Sequence, residues 1–173
     1  MEARRAFPAL RRFKIGLAEL YARYSELFAD DREARTLFFR LSLEEKSHVA
    51  LLDFERNLAR QNPSLFGEVD VDVEGVTRLS ASVEDLLEQT ATGLEGALSS
   101  ALEIETSASE YHMNAAVRQA CPSCSRLLDR LGRADRNHVD KLVEFARSRN
   151  VRVGVAAASP WMSAAEARGW AMP

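Results

Sequence analysis

Apolar positions recur at three- and four-residue spacing over four long stretches of the chain, and each stretch reads as an amphipathic helix. The first covers residues 9 to 28, with Phe13, Leu17, Leu20, Tyr21, Tyr24 and Phe28 on its apolar side. A polar reversal at Asp30-Asp31-Arg32 leads into the second, which runs from about Arg32 to Arg60 and stops at Asn62-Pro63, because the residue before a proline disfavours helix. The third opens at a capping box of Thr92 and Glu95 and carries the line Leu98, Ala101, Leu102, Glu105, Ala108, His112, Ala116. A break at Cys121-Pro122-Ser123-Cys124 starts the fourth, which continues through Arg147. Residues 62 to 81 are the longest segment without helical period. The alternation of Val69, Val71 and Val73 there predicts a short extended strand, and Ser82 with Asp85 then caps a short amphipathic helix through Glu88.

These elements predict an all-α fold: an antiparallel four-helix bundle of two helical hairpins joined by a long crossover, occupying residues 1 to 149. The tail from 150 to 173 differs in kind. Val151, Val153 and Val155 alternate, the stretch from Ala156 to Ser159 is small and flexible, and Trp161 and Trp170 bracket a segment that Ser163 and Glu166 can cap. Two tryptophans on such a tail dock on this domain, on a dimer partner or on another protein.

Two helices break their own apolar lines in the same way. In the second, the line Phe38, Leu41, Leu52 is filled at helical spacing by Glu45 and His48, while Glu44, Lys46 and Ser47 fall on outer faces. In the fourth, Leu128, Leu131, Asp135, His138, Leu142 and Phe145 repeat the pattern, 90 residues later in register. A buried carboxylate demands a bonded partner or a metal ion, so the pattern calls for counter-charge in the core. The third helix offers two glutamates. Its stripe of Ser99, Ser100, Glu103, Thr106, Ser107 and Glu110 is polar, which leaves Glu105 facing inward and Glu103 facing water. On the first helix Glu19 lies at the edge of the apolar side, where its small neighbours leave room for it to turn inward.

Composition narrows the setting. The chain has 173 residues, 46% hydrophobic and 28% charged, as expected of one globular domain with a real core. No apolar run is long enough to cross a bilayer and no secretory core follows the N-terminus, which predicts a cytoplasmic protein without a membrane partner. A net charge of −3, with arginines scattered among acids, argues against nucleic acid as a partner, and the basic positions from Arg4 to Lys14 read as a solvated face. Cys121 and Cys124 are too few for a disulfide scaffold; they are either a thiol–disulfide relay or two small thiols in a turn.

The inward polar residues are thus Glu19, Glu45, His48, Glu105, Asp135 and His138. One carboxylate from each of two helices, with a carboxylate-x-x-His from each of the other two, is the bundle ligand set for two iron or manganese ions. Four carboxylates balance two dications, and one imidazole per metal leaves positions open for an oxidant.

The stretch Ala101-Leu102-Glu103-Ile104-Glu105 followed by Tyr111-His112, with Leu41 to Leu52 and Leu131 to Leu142, resembles the ferritin-like superfamily and most closely its rubrerythrin-type di-iron domain. The resemblance spans about residues 9 to 147. It implies that Glu45 and the residue at 135 bridge two irons (with manganese in one or both positions as the variant), that Glu19 and Glu105 are terminal ligands, and that His48 and His138 each bind one metal. The implied function is non-haem di-iron oxidoreductase chemistry on peroxide or dioxygen, in a homodimer or higher homo-oligomer; the alternatives are a ferroxidase that stores or delivers iron, and an interaction module. The chain departs from the family pattern with Asp135 in place of Glu, with Ala108 where a further glutamate stands, and with His112 in place of a tyrosine. His112 is accordingly a candidate catalytic proton relay or donor to the ligands, or else a core histidine. No rubredoxin module is present in the sequence, so an external electron donor protein is expected.

Overall fold

A computed structural model of the chain describes residues 3–63, 70–89 and 93–153. Among these residues the fold is all-helical, with five helices: α1 (Ala3–Leu27), α2 (Arg32–Gln61), α3 (Val73–Glu88), α4 (Leu94–Arg118) and α5 (Pro122–Ser148). None is long and apolar enough to cross a membrane.

Successive long helices pair in opposite directions. Arg11 binds Asp53 near one end of the α1–α2 pair and Ser25 Oγ donates to the Arg35 carbonyl near the other. In the α4–α5 pair, Ser109 Oγ donates to the Gly132 carbonyl while Glu105 lies beside His138. Side chains that touch across these helices therefore run in opposite order along the two chains. The core between them is built from the apolar lines visible in the sequence, including Phe13, Leu17, Phe38, Leu41, Leu98, Leu128, Leu131 and Leu142, all fully or almost fully buried. Tyr24 meets Phe38 edge to face at 5.2 Å between ring centroids, which joins α1 to α2 below the polar residues.

The short connection is held by Asp31, whose carboxylate caps α2 by accepting from the backbone N–H groups of Glu33 and Ala34. Arg149, just beyond α5, reaches back to Asp31 Oδ2 at 2.5 Å and Glu33 at 2.9 Å, so one carboxylate ties the α1–α2 turn to the far end of the chain's last helix. Asn150 follows with a φ of 52°, a left-handed turn that asparagine tolerates, and the Val151 N–H closes onto the Ala146 carbonyl.

The crossover is where the structure departs from expectation. Helix α3 begins at Val73, well before Ser82, and no strand occurs among the described residues. Asp72, not Ser82, caps it, accepting from the Gly75 N–H at 3.0 Å; Ser82 is mid-helix and donates to the Arg78 carbonyl. Of the valines read as an alternating strand, Val71 packs into the core ahead of the helix and Val73 opens it, and Val76 and Val83 continue the buried line at helical spacing. Helix α3 packs on α1 and α4, with Val83 against Gly16 and the Tyr111 hydroxyl on the Asp72 carbonyl. Helix α1 also starts earlier than predicted, with Pro8 inside its opening turns. Helix α4 begins after Gly93 without a side-chain cap, and Thr92 lies outside the described residues, as do Val69, Val155, Ala156, Ser159, Trp161, Ser163, Glu166 and Trp170.

The backbone N–H of Ala34, together with Arg149, holds the Asp31 carboxyl below its ordinary value. A group whose folded-state pKa is depressed contributes stability above its unfolded value that is lost as pH falls. Asp31→Ala is expected to destabilise the protein by about 1 kcal/mol at neutral pH. The difference from the native chain should shrink as pH is lowered through and below the ordinary aspartate range, read from urea unfolding at a series of pH values.

Candidate metal centre

Four helices send polar side chains into the apolar core at one level. Glu45 from α2, Glu105 from α4, and Asp135 and His138 from α5 are buried, and one ligand atom from each lies within 4.8 Å of the others, a group that could hold a metal ion. The periodicity that put Glu45, Glu105, Asp135 and His138 on core lines is thus realised in three dimensions, and Glu103 faces solvent.

The fourth helix to contribute is α1, but not through the residue the sequence suggested. Glu19 is exposed, and the small neighbours that left it room do not turn it inward. Its place is taken by Lys14, which the sequence placed on a solvated face and which is fully buried. Lys14 shares one inward stripe with Leu17, Ala18 and Tyr21, three, four and seven residues on, so the packing that buries those residues buries the lysine too. Its Nζ lies 2.5 Å from Asp135 Oδ1 and 3.2 Å from Glu45 Oε2. Tyr21, two turns along, donates its hydroxyl to Glu105 Oε1 at 2.6 Å.

Each carboxylate has a distinct setting. Glu45 has Lys14 near both oxygens, His138 Nδ1 at 3.1 Å from Oε1 and His48 Nδ1 at 3.2 Å from Oε2. Burial works to raise its pKa, but Lys14, His138 and His48 outweigh burial and hold it well below the usual range. Asp135 follows the same logic: burial opposes ionisation, and Lys14 with His112 overcomes it. Glu105 goes the other way. Burial, reinforced by the Glu45 charge, raises its carboxyl despite His138, and its Oε2 atom is buried with no hydrogen-bond partner.

The histidines divide their labour. His138 presents Nδ1 to Glu105 at 3.0 Å and Nε2 to Glu44 at 2.9 Å. Burial alone would lower its pKa; Glu105, Glu44 and Glu45 together push it up to about 12. His48 is half-buried, lies 5.7 Å from His138 between ring centroids, and joins the edge of the cluster through Glu45. His112 is buried, with Nδ1 at 2.6 Å from Asp135 Oδ2 and Nε2 without a partner. It is therefore in direct contact with a core carboxylate rather than bonded to a backbone carbonyl.

Close helix approach explains the shorter acid at 135. Gly132 sits one turn before Asp135, and a Cβ there would meet Met113 Cγ at 2.8 Å and the Met113 backbone N at 3.2 Å, so α5 runs close to α4 at this level. Aspartate, one methylene shorter than glutamate, still reaches both His112 and Lys14.

Sequence reasoning missed Lys14, Tyr21 and Glu44. Tyr21 was visible as a core residue, but its hydroxyl's partner was not. Glu44, placed on an outer face, is only half-exposed; its hydrogen bond to His138, helped by Lys141, lowers its pKa to about 2. The signal that could have found Lys14 was its seven-residue spacing from Tyr21 on a line that also holds Leu17.

Of the two cysteines, Cys121 is partly exposed and Cys124 is packed inside. Cys124 is buried among Phe7, Leu10 and Leu128, and burial, with Cys121 beside it, pushes its thiol up to about 12. That favours the unreactive protonated form over a redox relay.

Tyr21→Phe removes a donor from Glu105 and is expected to cost about 1–2 kcal/mol of stability, because a buried acceptor loses part of its satisfaction while the apolar packing is kept. Chemical denaturation of the two proteins side by side measures this, and equal midpoints would mean that the hydroxyl contributes nothing.

Comparison of the chain with family models, with characterised proteins and with solved structures finds no match in any of the three.

Proposed function

We propose that this protein is a non-haem metal-carboxylate oxidoreductase that reduces peroxide or dioxygen, with iron as its metal, in a ferritin-like four-helix arrangement of α1, α2, α4 and α5. The observation that carries the reading is the convergence of Glu45, Glu105, Asp135 and His138 in a fully buried position, with Glu105 Oε2 left unpartnered. Unpaired buried carboxylate oxygens are rare and costly, and a hard or borderline cation is the usual partner for an oxygen-rich set with one imidazole.

The donor set fits one ion. It would be held by Glu45, Glu105, Asp135 and Nδ1 of His138. Glu44 on Nε2 would then fix the ring's tautomer and orientation from behind, as a carboxylate does for a metal-ligating histidine. A second ion is not equally provided for, since Glu19 is exposed and Lys14 stands between Glu45 and Asp135. When bound, a redox-active ion would relay electrons one at a time to the oxidant, and an external donor protein would supply both electrons of each turnover.

The chain's own residues do the rest. The apolar shell and complete burial of the cluster exclude large substrates and admit only small oxidants, past the half-exposed edge formed by Glu44 and His48. Reduction of peroxide to two waters consumes two electrons and two protons. Lys14 Nζ and the Tyr21 hydroxyl hold protons at the carboxylates, and burial with Glu105 beside it keeps the Tyr21 proton in place. Binding a cation at His138 requires release of the proton that its carboxylates now hold, so metal uptake should be accompanied by proton release.

A second reading is favoured by one observation, the Lys14 ammonium: a charge-balanced polar core that needs no metal, in a bundle that only presents surfaces. Anaerobic ferrous reconstitution followed by elemental analysis and peroxide turnover with an artificial donor separates the two. The native chain is expected to retain iron and consume peroxide. His138→Ala should abolish both, and Glu44→Gln should weaken iron binding by about 10- to 100-fold. A well-folded native chain that retains no iron would leave the metal-free core as the correct description.

A further inference from the structure

The polar core has two unlike halves. On one side Glu45 and Asp135, fully buried acids from different helices, are joined by the Lys14 ammonium, which also lies 5.4 Å from the centroid of the Phe13 ring. On the other, Glu105 keeps an unpartnered oxygen and His138 turns Nδ1 toward Glu105 and Glu45. The first half already holds a cation. An ammonium supplies three N–H donors and one positive charge against two carboxylates, with His138 Nδ1 facing Glu45 Oε1 at 3.1 Å beside it. The second half still has lone pairs to offer.

The lysine's position is not an accident of a flexible surface side chain. Lys14 is buried along its whole length, on a helix whose neighbouring inward residues Leu17, Ala18 and Tyr21 are equally buried. It bonds carboxylates that come from α2 and α5, the two helices carrying the repeated carboxylate-x-x-His pattern.

We propose that Lys14 is a built-in cation that holds the position of one metal ion, so that the native chain binds one divalent ion fewer than its buried carboxylates can accommodate. Together with the metal-centre reading on which it builds, this gives a lysine–metal hybrid site: one ion on the side of Glu105 and His138, and an ammonium in place of the other. The charge balance follows directly. Removing Lys14 leaves Glu45 and Asp135 buried without their counter-charge, and a second dication becomes the available remedy. Keeping the charge in another form keeps the position filled.

The test counts ions. Full-length native chain, Lys14→Met and Lys14→Arg are stripped with chelator and titrated anaerobically with manganese(II), with bound metal per chain read by calorimetry and elemental analysis. Lys14→Met is expected to bind one ion more than the native chain, and Lys14→Arg the same number as the native chain. Equal counts in native chain and Lys14→Met would overturn the proposal, as would an extra ion in Lys14→Arg. A native chain that binds no manganese and retains no iron would remove the metal function proposed above. The extra ion in Lys14→Met would still decide the role of the lysine. Should Lys14→Met not fold when stripped, it is refolded with manganese(II) present. Recovery of the helical circular-dichroism spectrum only with the ion supports the proposal. Failure to recover, while the charge-balanced Lys14→Met, Asp135→Asn variant folds without metal, overturns it.

Discussion

The contact between the Lys14 ammonium and the carboxylates of Glu45 and Asp135 is the constraint around which the core is arranged. Three ionised groups lie in an environment where isolated charges would be prohibitively costly, and they are tolerated because each has a partner of opposite sign. The pairing draws α1, α2 and α5 to a common point, and Tyr21 with His138 attaches α4 through Glu105. Buried ion pairs of this kind contribute little net stability compared with apolar packing, but breaking one member leaves the others uncompensated. The network therefore fixes the relative positions of four helices more than it strengthens them.

Around that point the chain divides its tasks by layer. The aromatic contact of Tyr24 with Phe38 and the leucines of α4 and α5 seal the cluster with apolar surface. Glu44, His48 and Lys141 form its polar edge toward solvent. His112 and Asp135 depend on the close approach of α4 and α5, which the absence of a side chain at Gly132 permits. The shorter acid at 135 is thus matched to a local helix separation.

Charge and protonation are distributed unequally within a few ångströms. Glu45 and Asp135 are held ionised by the lysine and the histidines, whereas Glu105, beside another carboxylate and bonded by a tyrosine, is pushed toward its protonated form. Groups whose pKa values are driven apart in this way mark functional sites, although structural ion networks do the same. An oxygen on Glu105 without a partner distinguishes this cluster from a fully satisfied network.

The sequence by itself determined the helices and most of the polar core. Helical spacing placed Glu45, Glu105, Asp135 and His138 on apolar lines, and each is buried, because a residue's face on a long helix follows from its register alone. The end of α2 at Asn62 was equally local, set by the proline after it. Register failed where two readings competed. The valines near residue 71 fitted both a strand and a helix start, and the Asp72 cap with burial against α1 and α4 decided for the helix. It was misapplied to α1, where Lys14 lies on the inward stripe with Leu17, Ala18 and Tyr21 and Glu19 lies off it, exposed. What register could not supply was the partner that lets an ammonium stay on that buried stripe. Glu45 and Asp135 supply it from α2 and α5, so the partners of the buried lysine were decided by the packing of helices distant in sequence and by the sign of the charges they carry.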